Sequence, residues 1–325
     1  MPDKNTKITK MLFRNIPVAA AALLFLLSFC KQNNDQIQLR KKPAGNSEDI
    51  ILNQDVKEFK KAGELKIKQR NTISYFYNNS GQRSERGTLV ESVIYDERGN
   101  RIEHINFKST GDVDLKWVYK YDENNNLIRS ETYNIFDDLV GWSDIEYDEN
   151  GIEISRREMN RSVKGITNVN YKFGKDGYLT DKITKDAQDN ILTREKLEID
   201  DAGYLIKKYV YDKNDKLMSE YNMQYDSLGN LINEEQVLEG YSRSDISYRY
   251  DSKGNLIVKD AGYYKQEFKY DSRGNIVEED LYDKDGFRQQ KFVYTYDQRD
   301  LLVDKVRYDS EDRPFLFVKY EYEFY

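Results

Sequence analysis

The 325-residue chain has very little of the material from which most catalytic and metal sites are built. It contains one cysteine, Cys30, and one histidine, His104. A single cysteine excludes an intrachain disulfide. One histidine and one cysteine leave almost nothing for a catalytic triad or a histidine–cysteine metal cluster. The sequence therefore predicts a protein that is not an enzyme and holds no metal or cofactor.

The chain also lacks an excess of basic residues. Its formal net charge is −7, and no basic face is evident in the repeats described below, which speaks against binding to nucleic acid. With 38% hydrophobic residues the aliphatic content is too small for a thick two-sided core, whereas 13% aromatic residues is too many for disorder. Tyrosine is the main aromatic residue, and its apolar ring and polar hydroxyl suit a thin, half-hydrated layer.

A long apolar run occurs in one place, close to the N-terminus. Basic residues within 4–14 are followed by the apolar segment IPVAAAALLFLLSFC, which starts at Ile16 and ends at Cys30. The segment is too short to cross a bilayer of about 30 Å as a helix, and a charged stretch before an apolar stretch of this length is typical of a secretory signal peptide. One interpretation is an ordinary secreted protein.

The last four residues of this segment, Leu27, Ser28, Phe29 and Cys30, resemble the lipobox of bacterial lipoproteins. The resemblance implies that residues 1–29 are a signal peptide that is removed and that the thiol of the new N-terminal cysteine is lipidated. It also implies attachment to a membrane of the bacterial cell envelope, which we expect to be the outer membrane, on its surface or periplasmic side.

The mature chain divides into a tether and a repeat domain. Residues 30–64 have no lasting apolar period and contain several turn-forming residues, so we expect the lipidated N-terminus and a tether here. A short amphipathic helix near 47–61 fits the spacing of its apolar residues. The repeat domain covers 65–325.

A short phrase recurs throughout the repeat domain. One copy is YDSRGNIVEE, and an aromatic or aliphatic residue precedes the turn of each copy at successive spacings of 26, 26, 26, 26, 26, 25, 20 and 26 residues. A period of this kind indicates a repeat architecture. The residues in these positions are Tyr95, Tyr121, Tyr147, Phe173, Ile199, Tyr225, Tyr250, Tyr270 and Tyr296.

Each copy also carries the residues of a tight turn. The residue after the aromatic position is usually aspartate, and the fourth residue after it is always glycine, asparagine or aspartate, which tolerate a positive φ. This pattern is typical of a three-residue hairpin loop closed by a left-handed residue. The predicted turn residues are Asp96, Gly99, Asp122, Asn125, Asp148, Gly151, Gly177, Asp200, Gly203, Asp226, Gly229, Asp251, Gly254, Asp271, Gly274, Asp297 and Asp300.

The segments between turns alternate as β-strands do. Leu115, Trp117 and Tyr119 fall on one face of such a strand, and a weaker copy of the turn phrase returns half a period later, as at Tyr282. The physical unit is therefore about 13 residues, one strand and one turn, with two units in each 26-residue period. The sequence predicts an all-β antiparallel meander of about 18–19 short strands.

The phrase YDxxGN, followed by an aliphatic residue and a polar strand, resembles the YD repeat of rearrangement-hotspot (Rhs) and teneurin-type proteins, over roughly residues 87–325. In that family hairpins join edge to edge in a long sheet that winds into a hollow shell or spiral. The resemblance implies a twisted and curled ribbon or partial shell with its tyrosine face inward, and a twist of about 20° per strand gives about one full turn over such a sheet.

Three further patterns have simpler explanations. The calcium-loop fragment at Asp283 and Asp285 lacks the glutamate of the twelfth position. Paired carboxylates such as Glu234 and Glu235 are the kind of pattern that glycosidases use, but such pairs are expected by chance among 58 acidic residues. The C-terminal FLFVKYEYEFY resembles the last strand of an outer-membrane barrel, but many strands carry charges on both faces.

These features predict a non-enzymatic envelope lipoprotein whose β-repeat domain binds a protein or glycan partner. The alternatives are a periplasm-facing structural lipoprotein and a remnant of an Rhs-type toxin-delivery shell. The spacing of 20 between Tyr250 and Tyr270 breaks the period. It is either a harmless deletion or a notch that exposes Tyr263 and Tyr264 to a partner.

Overall fold

The computed structural model of the protein describes residues 58, 60–160, 165–174, 177–238 and 243–325. Twenty β-strands account for most of them. The strands are β1 (Ile67–Phe76), β2 (Thr88–Tyr95), β3 (Arg101–Phe107), β4 (Val113–Tyr121), β5 (Leu127–Tyr133), β6 (Leu139–Tyr147), β7 (Glu153–Asn160), β8 (Gly165–Phe173), β9 (Leu179–Asp186), β10 (Ile191–Ile199), β11 (Leu205–Asp212), β12 (Leu217–Tyr225), β13 (Leu231–Leu238), β14 (Arg243–Tyr250), β15 (Leu256–Asp260), β16 (Tyr264–Tyr270), β17 (Ile276–Asp283), β18 (Arg288–Tyr296), β19 (Leu302–Tyr308) and β20 (Pro314–Phe324).

The sheet is a closed antiparallel barrel. Each strand pairs with the strands before and after it in the chain, and β1 also pairs with β20, from Ile67 opposite Phe324 to Phe76 opposite Leu316. The barrel radius is 19 Å. The all-β prediction is confirmed, but the expected ribbon or partial shell is wrong, because the first and last strands satisfy each other's free edges.

The number of strands is also slightly larger than predicted. The segment with the 20-residue spacing forms two shortened strands, the five-residue β15 and the seven-residue β16, so the shorter repeat still contributes two strands to the count. A short hairpin keeps the antiparallel order of the sheet, since the missing residues come from two strands that pair with each other. The barrel wall is therefore shorter at this hairpin, and the hydrogen-bonded pairing of β14 to β17 continues through it.

The hairpin turns alternate between the two ends of the barrel. Because successive strands are antiparallel, turns that follow even-numbered strands lie at one end, which we call rim A, and turns that follow odd-numbered strands lie at the other, which we call rim B. All the turn residues predicted from the YDxxGN phrase belong to rim A. The weaker copies of the phrase belong to rim B.

The two faces of the wall differ in composition and burial. Residues opposite each other in a ladder share a face, and the registers place Trp117, Ile145, Val169 and Met223 on one face, where each is at least 93% buried. The other face of the same strands carries mostly charged, partly exposed side chains. Side chains that project about 5 Å inward from this wall share a circumference about a quarter smaller, so we assign the buried face to the inside.

A short helix packs against rim A. It comprises residues 60–64, with Glu58 also helical. Ala62 is fully buried in a cluster with Tyr95, and a Cβ at Gly63 would lie 2.6 Å from the carbonyl oxygen of Arg98, so only glycine permits this approach. The last part of the predicted tether is thus part of the folded domain. Of the described residues, none belongs to a helix with the length and apolarity required to span a membrane.

Candidate functional site

The predicted turn residues at rim A adopt one repeated conformation. The residue at the fourth position has a positive φ in every copy, from 61° at Asp300 to 94° at Gly203. Its backbone N–H donates to the carbonyl of the first turn residue, as from Gly99 to Asp96 at 2.9 Å. The same geometry is found at Asn125, Gly151, Gly177, Gly203, Gly229, Gly254, Gly274 and Asp300.

The aspartates of these turns are bound within their own loops. Oδ1 of Asp226 accepts the backbone N–H groups of Leu228 and Asn230, both at 2.9 Å, and Oδ2 accepts the side-chain amide of Asn230 at 2.9 Å. The side-chain bond from Asn230 is the main reason that the pKa of Asp226 is lowered. Asp96, Asp251 and Asp271 make the same contacts, which explains why Asp and Asn recur in the phrase.

Most of the repeated tyrosines join neighbouring hairpins at rim A. The hydroxyl of Tyr121 donates to the carbonyl oxygen of Arg101, the first residue of β3, at 2.9 Å. For six further tyrosines the acceptor is likewise the first residue of the preceding strand. The pairs are Tyr147 with Leu127, Tyr225 with Leu205, Tyr250 with Leu231, Tyr270 with Leu256, Tyr296 with Ile276 and Tyr322 with Leu302, at 2.6–3.0 Å.

We call each of these tyrosine hydroxyl-to-carbonyl bonds a tyrosine clamp. Three members of the predicted series do not form one, and one tyrosine that does was not predicted. Phe173 and Ile199 have no hydroxyl to donate, and the hydroxyl of Tyr95 bonds to Glu58 of the short helix instead. Tyr322 was not predicted, although it follows Tyr296 by the same 26 residues and completes the series. Tyr325 adds a related bond, from its hydroxyl to the carbonyl oxygen of Tyr95 at 2.6 Å.

A network of partly buried charges lies beneath the short helix. Arg70 donates to Glu58 at 2.9 Å and to Glu91 at 2.8 Å, and Nε2 of His104 lies 2.9 Å from Glu91. The His104 ring stacks on Trp117 with centroids 4.9 Å apart. Burial alone would raise the pKa of Glu91, but Arg70 and His104 lower it. The network joins the helix to β1–β4, so the single histidine serves here as a packing and pairing group.

The concave face between the rims combines aromatic rings with hydrogen-bonding side chains. Tyr294 donates to Glu279 at 2.7 Å, and the amide of Gln266 donates to the other oxygen of Glu279 at 3.0 Å. On β12 and β13, Gln236 donates to the hydroxyl of Tyr221 at 2.6 Å. Rings and polar groups therefore stand side by side on neighbouring strands, an arrangement that suits ligands with both apolar faces and hydroxyl groups.

The convex face is dominated by ion pairs and by rings covered with cations. Trp142 lies between the guanidinium groups of Arg129 and Arg157, each 5.6 Å from its ring centre. A shallow groove of about 720 Å³ runs past Tyr209 and Tyr211.

The shortened hairpin places its tyrosines differently. Tyr263 is 67% exposed at rim B, whereas Tyr264, which touches it with ring centroids 4.8 Å apart, is partly buried at the start of β16. Phe136 and Phe287, which are 76% and 69% exposed, lie in other turns of the same rim. The expected notch thus exposes one of its two tyrosines.

Two of the sequence predictions concern metal binding and the lipobox. Among the described residues, no group of three or more histidine, cysteine, aspartate or glutamate side chains is arranged to hold a metal ion. Leu27, Ser28, Phe29 and Cys30 lie outside the described residues, so the predicted lipobox remains a prediction from sequence.

Comparison with known proteins gives distant matches to solved structures alone. No protein-family model and no curated protein matches the sequence. A chain of TcdB2-TccC3 without its hypervariable C-terminal region has 13% identity and a TM-score of 0.28 over 68% of this chain, which spans 15% of that chain's length. A porin-like protein from Bacteroides uniformis has 11% identity and a TM-score of 0.36 over 79% of this chain and 98% of its own.

A third match is a putative outer membrane lipoprotein-sorting protein domain from Vibrio parahaemolyticus. It has 9% identity and a TM-score of 0.24, and the match covers 82% of this chain and 92% of that one. All three TM-scores are below 0.5. The likenesses are therefore remote, and they carry no inference about what this chain binds or does.

Proposed function

We propose that this protein is a non-enzymatic binding protein of the bacterial envelope whose barrel receives a glycan on its concave face. The observation that carries the proposal is the composition of that face, where tyrosine rings alternate with amide and carboxylate groups on neighbouring strands. Aromatic rings pack on the apolar faces of sugars, and the polar groups accept or donate hydrogen bonds to hydroxyls.

The barrel has room for such a ligand. A radius of 19 Å leaves a free width of roughly 24 Å after side chains of about 7 Å are subtracted on both sides. This is about twice the 10–12 Å diameter of an α-helix with its side chains. An extended polysaccharide chain is narrower than such a helix and fits along the wall.

The proposed location follows from the N-terminal sequence. The apolar segment that ends at Cys30 supports export, lipidation and attachment to an envelope membrane, with the outer membrane as the proposed site. The YDxxGN phrases support membership of the YD-repeat group. A remnant of an Rhs-type toxin-delivery shell is the second candidate, and the specific observation in its favour is that the sheet closes into a hollow barrel, which could enclose a polypeptide.

A pair of tyrosines on opposite faces tests the proposal. The chain from residue 30 onward, with Cys30→Ser, is titrated with neutral and acidic oligosaccharides and with unfolded polypeptides by calorimetry. Tyr221→Leu on the concave face is expected to weaken saccharide binding about five- to tenfold, whereas Tyr209→Leu on the convex face leaves it unchanged. The reverse result assigns binding to the convex groove. Binding of unfolded polypeptides without saccharides favours the shell.

A further inference from the structure

Two cationic side chains, Lys305 and Arg307, lie next to each other in β19 on the concave face of the barrel. Lys305 and Arg307 are two positions apart in one strand and therefore share a face. Lys305 lies opposite Tyr294 in β18, and Arg307 lies opposite Phe292. Their partners in β20 are aliphatic. Both side chains thus project from a part of the inner wall made mostly of rings and aliphatic groups.

Aromatic rings hold both cations in place. The Lys305 ammonium is 4.5 Å from the ring centre of Phe292 and 5.2 Å from that of Tyr294. The Arg307 guanidinium is 5.6 Å from Phe292 and 4.6 Å from Phe315. Cation–π contacts orient the two side chains before any ligand arrives, but they do not neutralise the charges.

Neither cation has an ion pair within the described parts of the chain. The acidic group nearest in effect is Glu279, whose two oxygens already accept bonds from Tyr294 and Gln266. Burial lowers the pKa of Lys305, and the positive charge of Arg307 lowers it further. Nε of Arg307 is buried without a hydrogen-bond partner.

Several other cations of the barrel have carboxylate partners. On the same concave face, Lys182 lies 3.0 Å from Glu195. On the convex face, a hydrogen bond to Glu267 raises the pKa of Lys265. Buried charges are normally paired or hydrogen-bonded because an isolated one is costly. The exception on β19 therefore points to a counter-ion that comes from outside the chain.

We propose that Lys305 and Arg307 form a subsite for the acidic groups of a polysaccharide, with the sugar rings packed against Phe292, Tyr294 and Phe315. The two side chains leave the backbone about 7 Å apart, which allows one carboxylate or sulfate group to bridge ammonium and guanidinium. This inference rests on the proposed glycan-binding function, and it specifies that the glycan is acidic.

The test compares three saccharide probes of equal length: a uronic acid hexamer, a sulfated hexamer and a neutral hexamer. Their dissociation constants are measured by calorimetry with the chain from residue 30 onward. We expect the acidic probes to bind at least about tenfold more tightly than the neutral one, with a smaller difference at high salt. The preferred acidic probe distinguishes carboxylate from sulfate.

Two variants locate the effect. Lys305→Gln with Arg307→Gln is expected to reduce the affinity for the acidic probes to that for the neutral probe. The matched control is Lys182→Gln, which removes another concave cation, 3.0 Å from Glu195 and ten strands away, and which leaves all affinities unchanged. Circular dichroism and urea unfolding verify that the variants are folded.

The possible failures are distinguishable. Equal affinity for acidic and neutral probes, or an equal loss in the Lys182 variant, overturns the subsite while the glycan-binding function stands. Absence of binding to all three probes overturns both. Binding of a polyglutamate peptide in preference to the acidic saccharides overturns the assignment to polysaccharide and identifies an acidic polypeptide as the ligand.

Discussion

The tyrosine clamps at rim A make a measurable contribution to stability. In Tyr250→Phe and Tyr270→Phe the ring stays in place, and the change removes one hydroxyl donor to the carbonyl of Leu231 or Leu256, at 2.8 and 2.7 Å. A hydrogen bond of this kind contributes about 0.5–1.5 kcal/mol to the free energy of unfolding. We expect each variant to lose about 1 kcal/mol.

Substituting four clamps extends the test. Successive clamps are two strands apart, roughly 10 Å, so their contributions are expected to add. Phenylalanine at positions 225, 250, 270 and 296 together is expected to lower the free energy of unfolding by about 4 kcal/mol, measured by urea denaturation at constant m value. Tyr263→Phe is the control, because this ring is 67% exposed. Losses no larger than that of the control would refute the clamp.

The same clamps predict a specific dependence on pH. Burial raises the pKa of Tyr250, Tyr270 and Tyr296 from 10.0 to about 12 each. Because the folded-state pKa is the higher one, their contribution is complete below pH 10 and is lost as the pH rises from about 10 to 12. The fourfold phenylalanine protein should lose less stability across this interval than the wild type. Parallel pH curves for the two proteins would contradict the assignment.

Two other predictions concern the turns and the anchor. Gly229 and Gly254 have the same φ of 83°, but a Cβ at Gly229 would collide with a tyrosine hydroxyl, whereas nothing lies within 4 Å at Gly254. In urea unfolding Gly254→Ala should cost about 1–2 kcal/mol from backbone strain and Gly229→Ala distinctly more; equal costs would contradict the contact. Cys30→Ala should move the protein from the membrane fraction to the soluble fraction of fractionated cells, and retention in membranes would exclude the lipid anchor.

The local part of the structure could be predicted because it depends on neighbours in the sequence. An aspartate, a residue that tolerates positive φ and a following asparagine, as in Asp226, Gly229 and Asn230, specify a turn within five residues. Alternation of apolar and polar residues gives each strand and its two faces. The turn pattern and the alternation of a strand can each be recognised in a single repeat, and their recurrence along the chain strengthens the prediction.

Closure could not be predicted in the same way. It depends on whether β1 and β20, about 250 residues apart, arrive at the same place, which is fixed by twist and stagger accumulated over the whole sheet. The acceptor of each tyrosine hydroxyl depends on the register between strands. The partly buried pairing of Arg70 with Glu58 depends on a helix that packs across the rim. None of these three features is encoded by a pattern of residues that are close together in the sequence.

Under the proposed function, a single-layered wall uses the same rings as core and as binding surface, so deleting a ring is expected to change folding and binding together. Substitution of the charged residues Lys305 and Arg307 separates the effect on folding from the effect on binding. Burial lowers the pKa of both groups, so each charge destabilises the free barrel at neutral pH; for Lys305, the cost is complete below its lowered folded-state pKa and disappears above its unfolded value of 10.5.

Replacing both cations with glutamine should therefore raise the free energy of unfolding of the free protein while it weakens binding of the acidic saccharide. A pair that serves only the fold would give the opposite result, because its removal would destabilise the barrel. Urea unfolding with and without the uronic acid hexamer distinguishes the two roles. Stabilisation by the ligand should be large in the wild type and small in the more stable variant, since a ligand stabilises only the state that it binds.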